Sequence, residues 1–419
     1  MGKLSHSELI HLMVQLGVML ALGRVLAEVA RKFKQPAVVG EIIAGLILGP
    51  TILGTFSPDS FDLLFPKIGA SAIVLDGFTK VAVVMLLFIA GLEVDLHIVF
   101  QQGKQAISSS FFGLIIPFLL GFIIPYSFPS FFGDTGTTDL LLFALFMGTA
   151  MSISALPVIV RIMMDLKLFK TKIGMLVVAS AMVDDVIGWM IFSIILGMIG
   201  NGGHLSVGYT LLLTIGFTAF MLTIGRGLLN RILPWVNKKL AWPGGLLALS
   251  LSLCFLAAAF TEYIGIHAVF GAFIVGIALG DSEHMSERAK EIVHQFINNI
   301  FAPLFFVSIG LKVNFFANFD PWLTVVILII AFAGKIIGSG FGTRLGGFTW
   351  RESLAAGFGM NARGAMEIIL GIVALENGLI NEKVFVSLVI MALVTSITSG
   401  PLMKWMLKPL ITEQKILRI

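Results

Sequence analysis

Two adjacent aspartates, Asp184 and Asp185, stand in the apolar run SAMVDDVIGWM. A carboxylate in a low-dielectric surrounding is costly unless it is protonated, paired or bound to a cation. If the run is helical, successive side chains point about 100° apart, so the two carboxylates cannot bind one ligand from the same face. We therefore expect one aspartate to face a cavity and the other to face a neighbouring helix.

A lone lysine is the candidate counter-ion for one of these aspartates. Lys335 is the only charged residue in the run ILIIAFAGKIIGSGF. One lysine neutralises only one carboxylate, so the presence of the second carboxylate in an apolar run needs a separate explanation. If water reaches it, it can hold either a proton or a small hard cation such as Na⁺ or Li⁺, for which oxygen is the preferred ligand. Competition between the two couples cation exchange to proton exchange, and the pairing alone does not say which aspartate has this role.

Further oxygen ligands for such a cation are available in the run GTAMSISALPVIV. Gly148, Ser152, Ser154 and Pro157 make a helix prone to break at this point. A break frees backbone carbonyls and places hydroxyl groups beside them, as in the discontinuous helices of secondary transporters.

Arg363 and Glu367 are a second pair of charges in an apolar run, GFGMNARGAMEIILG. Four residues apart on a helix, they share a face and can neutralise each other. We interpret them as a structural ion pair that supports a helix weakened by glycine.

The elements that position these residues are predicted to be membrane-spanning helices. Hydrophobic residues make up 57% of the 419 residues and charged residues 12%, about half the charged fraction of a soluble domain. The single cysteine, Cys254, excludes disulfides and cysteine-based metal sites, and we expect no cofactor and no nucleic-acid partner. Since a span needs about 20 residues, the chain divides into thirteen predicted spans: 8–30, 37–56, 79–98, 105–126, 139–161, 172–200, 207–229, 242–261, 264–280, 299–313, 321–343, 352–376 and 384–408.

Basic residues predict the orientation of these spans in the lipid bilayer. The loops on one side of the thirteen-span arrangement carry 21 Lys and Arg, whereas those on the other side carry 5. Because basic loops stay in the cytoplasm, we expect a cytoplasmic C-terminus and an external N-terminus in the cell membrane.

Two patterns recur along the chain in the same order. VVGEIIAGLILGP at Val38–Pro50 matches VFGAFIVGIALGD at Val269–Asp281, and FIAGLEVD at Phe88–Asp95 matches VSIGLKVN at Val307–Asn314. Matched runs lie seven spans apart, so the two copies cross the membrane in opposite directions. This indicates inverted repeats, over about 8–200 and 242–408 and linked by the helix 207–229, an architecture of secondary transporters.

One segment, about 282–298, differs from the spans. An apolar stripe at helical spacing lies opposite Glu and Arg residues, which predicts an amphipathic helix on the cytoplasmic surface. The stripe consists of Met285, Ala289, Ile292, Val293 and Phe296.

Taken together, six runs resemble the monovalent cation/proton antiporter superfamily, and most closely its branch of bacterial sodium/proton antiporters and glutathione-gated potassium efflux systems. They are VVGEIIAGLILGP, FIAGLEVD, TAMSISA, VDDVIG, FAPLFFVSIGLKVN and GMNARGAMEII. The resemblance covers nearly the whole chain. It implies an all-α membrane protein of about thirteen helices, of which 139–161 and 352–376 are broken and cross each other. It also implies a homodimer and an elevator-like alternating access.

The resemblance further implies roles for individual residues. Asp185 would bind the cation and the proton, Asp184 would pair with Lys335, and Thr149 and Ser152 would supply hydroxyl ligands. Potassium efflux members typically have Gln-Asp in place of the aspartate pair, and they append a cytosolic nucleotide-binding domain that these 419 residues do not contain. Both differences favour electrogenic exchange of Na⁺ or Li⁺ for H⁺.

Three other functions compete with this prediction. The nearest is K⁺/H⁺ antiport. An intramembrane aspartyl protease would need two aspartates on separate helices sharing one proton, whereas here they are adjacent, so we predict a transporter and not an enzyme. A sodium-coupled organic-anion symporter of similar shape would not be expected to carry the aspartate pair and the lysine.

Overall fold

The computed structural model describes residues 5–33, 35–66, 68–132, 139–166, 168–169, 171–200 and 207–416, and within these ranges all regular secondary structure is helical. A π-helical turn, Met221–Gly225, joins two of the helices. The helices are α1 His6–Lys32, α2 Ala37–Leu48, α3 Leu53–Phe56, α4 Pro58–Leu64, α5 Ala70–Leu92, α6 Leu96–Ser127, α7 Leu140–Ser152, α8 Leu156–Asp165, α9 Lys172–Gly200, α10 Val207–Phe220, α11 Arg226–Lys239, α12 Gly244–Tyr263, α13 Ala268–Gly280, α14 Glu287–Lys312, α15 Phe315–Asn318, α16 Pro321–Leu345, α17 Trp350–Met360, α18 Ala365–Glu376 and α19 Glu382–Ile416.

The predicted spans can be compared with the helices one by one. Among the described residues, eleven helical stretches are long and apolar enough to cross a membrane. The pair α17–α18, bent by 46°, and the shorter apolar helix α13 complete the set. Every predicted span overlaps one of these stretches. The chain is therefore an all-helical, multi-pass membrane protein.

Two predicted boundaries differ from the structure. The amphipathic segment 282–298 and the span 299–313 are one continuous helix, α14, which begins at the N-cap Ser286. Charged residues end a membrane span but do not end a helix, and no glycine lies between Glu287 and Ile309. The helix 207–229 likewise continues through the π-helical turn to Lys239.

One compact unit contains Met1–Glu93 and Phe217–Phe319, and its helices cross at the glycines of the repeated patterns. A Cβ on Gly45 of α2 would lie 3.0 Å from the Gly310 amide nitrogen of α14, and a Cβ on Gly91 of α5 would lie 3.0 Å from Gly276 Cα of α13. Only glycine allows backbones to approach this closely. Because Gly91 and Gly310 occupy matched positions, each copy of the pattern packs against the other copy in an equivalent way.

The other compact unit contains Val94–Gly216 and Asp320–Ile419. It is built from α6–α9, most of α10, and α16–α19. Within it, α6 packs along α7, α9 and α16, while α17 and α19 pack against α16. This unit contains every residue that the sequence predicts for the ion site or for the supporting pair: Asp184, Asp185, Lys335, Thr149, Ser152, Ser154, Arg363 and Glu367.

Candidate functional site

Both aspartates of the pair lie on α9 in the interior of the second unit. Asp184 and Asp185 each have 0% of their surface exposed, and Lys335 on α16 is equally buried. A buried charge must be paired or bound to an ion to be tolerated, so the surroundings of these three side chains decide what the site can do.

Asp184 is the aspartate that contacts the lysine. Lys335 Nζ lies 2.6 Å from Asp184 Oδ2. Ser110 Oγ of α6 donates to Asp184 Oδ1 over 2.6 Å, and Ser154 Oγ lies 3.2 Å from Oδ2. Asp184 is thus neutralised by Lys335, accepts from Ser110 and lies beside a second hydroxyl, that of Ser154. It is the partner that the family resemblance implies for Lys335. A role of this pair in coupling cation exchange to proton exchange stays a prediction.

The helix break predicted around Ser152–Pro157 is present between α7 and α8. Helix α7 begins at the N-cap Asp139, whose side chain accepts from the Leu141 and Leu142 amides, and it ends at Ser152. Ile153 and Ala155 have extended backbones, and Pro157 lies in the first turn of α8. Pro suits the first turn of a helix because it needs no amide donor there, so the chain can restart the helix after the break.

A second break, Asn361–Gly364 between α17 and α18, crosses the first. The Ala155 amide donates to the Ala362 carbonyl over 2.9 Å. Ser154 Oγ also lies 2.8 Å from the Met360 carbonyl. Because a hydroxyl has a single proton, Ser154 donates either to Asp184 or to Met360. The crossing of the two breaks is therefore tied directly to the Asp184–Lys335 pair.

Arg363 and Glu367 are arranged differently from the sequence prediction. Arg363 lies in the second break rather than on a helix, so the side-by-side geometry of a continuous helix does not apply. Its Nη1 lies at 4.0 Å from Glu367 Oε1 but donates to the Ala150 carbonyl over 2.6 Å, and its Nη2 donates to the Met151 carbonyl. Glu367 instead accepts from the Gly364 amide over 2.8 Å.

These contacts show what the two charges do at helix ends. The last carbonyls of a helix carry a partial negative charge and its first amides a partial positive charge. Arg363 neutralises the C-terminal end of α7, and Glu367 neutralises the N-terminal end of α18. The expected ion pair is present, at 4.0 Å, but helix ends are the nearer partners of both groups.

Thr149 and Ser152, the predicted hydroxyl ligands, lie in the last turn of α7 and are fully buried. Thr149 Oγ1 donates to the Leu145 carbonyl and Ser152 Oγ to the Thr149 carbonyl, each over 2.8 Å. Their protons are used within the helix, so only their oxygen lone pairs are available to a cation. Their part in binding stays a prediction.

Sequence reasoning missed Ser110, the closest hydroxyl partner of Asp184. A signal for it exists in the run Ser108–Ser110, three serines inside an apolar span. Ser108 Oγ donates to the Gly342 carbonyl and Ser109 Oγ contacts Thr343 Oγ1, each over 3.0 Å, so the run joins α6 to α16 as well as to α9. Three consecutive polar residues in a helix face three directions, which suits such a junction.

The family is decided by a match to the model of transmembrane sodium/hydrogen exchangers, which covers residues 17–408. The chain belongs to the transmembrane sodium/hydrogen exchanger family. Among its relatives is the Na⁺/H⁺ antiporter NhaS4 of Synechocystis sp., 34% identical over 388 residues, which are 92% of this chain and 94% of the relative.

Two other similar proteins are a longer relative and a solved structure that shares the fold. K⁺/H⁺ antiporter 1 of Saccharomyces cerevisiae is 32% identical over 88% of this chain, which spans only 43% of that relative. The sodium proton antiporter MjNhaP1 from Methanocaldococcus jannaschii superposes with a TM-score of 0.67 at 17% identity, over 95% of this chain and 97% of the other. That superposition establishes the sodium/proton antiporter fold predicted from the sequence.

Proposed function

We propose that this chain is a secondary active antiporter that exchanges Na⁺, or Li⁺, for H⁺ by alternating access. The observation that carries the proposal is the division of labour between two adjacent buried carboxylates. Asp184 is neutralised by Lys335 and held by Ser110 and Ser154. Asp185, one position further on α9 and equally buried, then has a separate role, and holding either a proton or a cation fits it.

The cation is proposed from two supports. The aspartate pair stands where potassium efflux systems typically have Gln-Asp, and NhaS4, one of the relatives that the chain matches over nearly their whole length, is named a Na⁺/H⁺ antiporter. The alternative is K⁺/H⁺ antiport, which the name of the yeast relative supports. Thr149 and Ser152 are proposed to complete the cation's oxygen shell from the end of α7.

The exchange is proposed to be electrogenic. If the Asp184–Lys335 pair opens and closes in each cycle, Lys335 can release and recover a proton in addition to the proton exchanged at Asp185. More than one proton then moves for each Na⁺, and the transport rate depends on membrane voltage. We further propose a homodimer in the cytoplasmic membrane, with the N-terminus outside and an elevator-like movement, in a protein that serves pH homeostasis.

Transport by purified protein in liposomes tests this function. An outward gradient of Na⁺, Li⁺ or K⁺ is imposed, and a trapped dye reports internal pH. We expect Na⁺ and Li⁺ gradients to acidify the interior and a K⁺ gradient to do so weakly. A membrane potential clamped with valinomycin and K⁺ should change the initial rate. Acidification driven best by K⁺ would favour the alternative, and no acidification with any cation would contradict antiport altogether.

Replacing the proposed binding carboxylate tests the site. Asp185→Asn keeps the size of the side chain but removes its ability to exchange a proton for a cation. We expect exchange to fall to the level of empty liposomes and Na⁺-induced thermal stabilisation to disappear, while the protein elutes as a folded species. Glu376→Gln, at the end of α18, is the matched control and should transport normally. Near-normal exchange by Asp185→Asn would rule out this assignment.

A further inference from the structure

Asn361, at the crossing of the two broken helices, is a fully buried amide with an unusual surrounding. Its exposed fraction is 0%. Within the described part of the chain, neither its Oδ1 nor its Nδ2 has a hydrogen-bond partner. Burying an amide in this way is destabilising, and most buried polar side chains in proteins are hydrogen-bonded. The exception at Asn361 requires an explanation.

The position of Asn361 relates it to the aspartate site. It is the first residue after α17, in the break Asn361–Gly364. Its two neighbours in the sequence are both bonded to the first break, since the Met360 carbonyl is 2.8 Å from Ser154 Oγ and the Ala362 carbonyl accepts from the Ala155 amide over 2.9 Å. Ser154 in turn contacts Asp184. Asn361 is therefore connected to Asp184 through the backbone of its neighbour Met360 and the Ser154 hydroxyl.

The local electrostatics at Asn361 favour a cation. Helix α17 ends immediately before Asn361. The last carbonyls of a helix carry a partial negative charge. Arg363, two residues on, neutralises the equivalent end of α7 by its bonds to Ala150 and Met151. The described residues show no such side-chain cation bonded to the end of α17, where the Met360 carbonyl has a neutral hydroxyl, Ser154, as its side-chain partner.

We propose that Asn361 binds the transported cation through its amide oxygen, as the ligand that the second broken helix contributes. The inference rests on the proposed function, because it requires a cation at Asp185. An amide oxygen is a hard, neutral ligand of the kind that alkali and alkaline-earth cations take. The cost of burying Asn361 without a partner is then offset only when the cation is bound.

This role predicts opposite effects on stability and on cation affinity. Removing a buried polar group that lacks a partner is neutral or stabilising. Asn361→Leu, which keeps the volume and removes both polar atoms, should therefore unfold at the same or a higher temperature in cation-free buffer. Loss of one ligand should raise the Na⁺ concentration for half-maximal exchange and for half-maximal thermal stabilisation by about tenfold.

The experiment measures Na⁺-dependent exchange and Na⁺-dependent thermal shift for the wild type, Asn361→Leu and a control. Ser353→Ala is the control. Ser353 lies on α17, the helix that ends just before Asn361, and it is fully buried. Its hydroxyl has no hydrogen-bond partner within the described residues. The control substitution should leave the Na⁺ dependence unchanged. If Asn361→Leu does not yield folded protein, Asn361→Ala is measured by the same criterion, since it cannot overpack the site.

The outcomes separate this inference from the function on which it rests. A wild-type half-saturation in Asn361→Leu, with normal exchange by the wild type, would overturn the ligand role and leave antiport intact. If Asn361→Leu and Asn361→Ala both melt well below the wild type in cation-free buffer, Asn361 is a structural residue, and the ligand role is overturned. An absence of exchange in the wild type would overturn both proposals. An equal shift in Ser353→Ala would contradict a specific role for Asn361.

Discussion

Asp184 and Lys335 are coupled at the residue scale by burial rather than by charge alone. Both side chains are fully buried and 2.6 Å apart, and taking two charges out of water can cost more than their attraction returns. A buried ion pair of this kind therefore need not increase the free energy of unfolding of the protein. Breaking it by removing one partner is nevertheless expensive, because the other charge stays buried.

Mutating both members of the pair tests this coupling. Lys335→Gln should lower the free energy of unfolding by about 3–5 kcal/mol, because Asp184 remains as a buried charge without its cation. Adding Asp184→Asn should restore part of that loss, since Asn still accepts from Ser110. Thermal unfolding in detergent measures the two single variants and the double variant. Strictly additive effects would show that the two residues are not coupled.

At the scale of elements, the two breaks depend on charged side chains that meet the ends of the half-helices. Arg363 donates to the last carbonyls of α7, and Glu367 accepts from the Gly364 amide at the start of α18. Half-helices that end in the protein interior leave carbonyls and amides without helical partners. The crossing is therefore stable only while each end meets a complementary group.

Arg363→Gln tests how far the crossing depends on this arginine. The substitution leaves the α7 carbonyls with a weaker donor and removes the cation 4.0 Å from Glu367, so we expect a loss of about 3–5 kcal/mol in the free energy of unfolding. Arg344→Gln is the matched control, because the exposed Arg344 also donates to a backbone carbonyl, that of Phe348, over 2.6 Å. Its loss should stay below about 1 kcal/mol. Equal losses would show that burial is not what makes Arg363 important.

For the molecule as a whole, the loop charges predict one topology for the bent pair α17–α18. The prediction places the loop before α17 in the cytoplasm and the loop after α18 outside, so the bent pair must cross the membrane completely. A pair of half-helices bent by 46° is equally compatible with a re-entrant segment that returns to the side it came from. The distinction changes the orientation of α19.

Cysteine labelling in intact cells distinguishes these topologies. In a Cys254→Ala background, which removes the chain's one cysteine, Arg351→Cys and Glu382→Cys introduce exposed thiols on either side of the bent pair. We expect a membrane-impermeant maleimide to label Glu382→Cys from outside and Arg351→Cys only after the cells are opened. Labelling of both positions from the same side would mean that α17 and α18 do not cross the membrane.

The spans, the break in GTAMSISALP and the charged residues of the site were predictable from the sequence, because each depends on local composition. An apolar run of sufficient length crosses a membrane whatever its neighbours are, and Pro157 limits a helix wherever it lies. The matched patterns of the two repeats were likewise visible in the sequence, whereas the close backbone contacts at their glycines appear only in the structure. The predicted separation of 282–298 from 299–313 was wrong for a related reason. Charge marks the membrane boundary, whereas the continuity of α14 depends on backbone hydrogen bonds.

Tertiary structure decided which groups meet. Lys335 and Asp184 are 151 residues apart in the chain, and whether the lysine pairs with Asp184 or Asp185 depends on the rotation of α9 relative to α16. Arg363 bonds to Ala150 and Met151 rather than to its neighbour Glu367 because the second break turns it toward the end of α7. Helix packing alone showed Ser110 to be a partner of Asp184 and Asn361 to be a buried amide at the crossing. Sequence spacing fixes directions within one helix, but the contacts between helices follow from how all of them pack together.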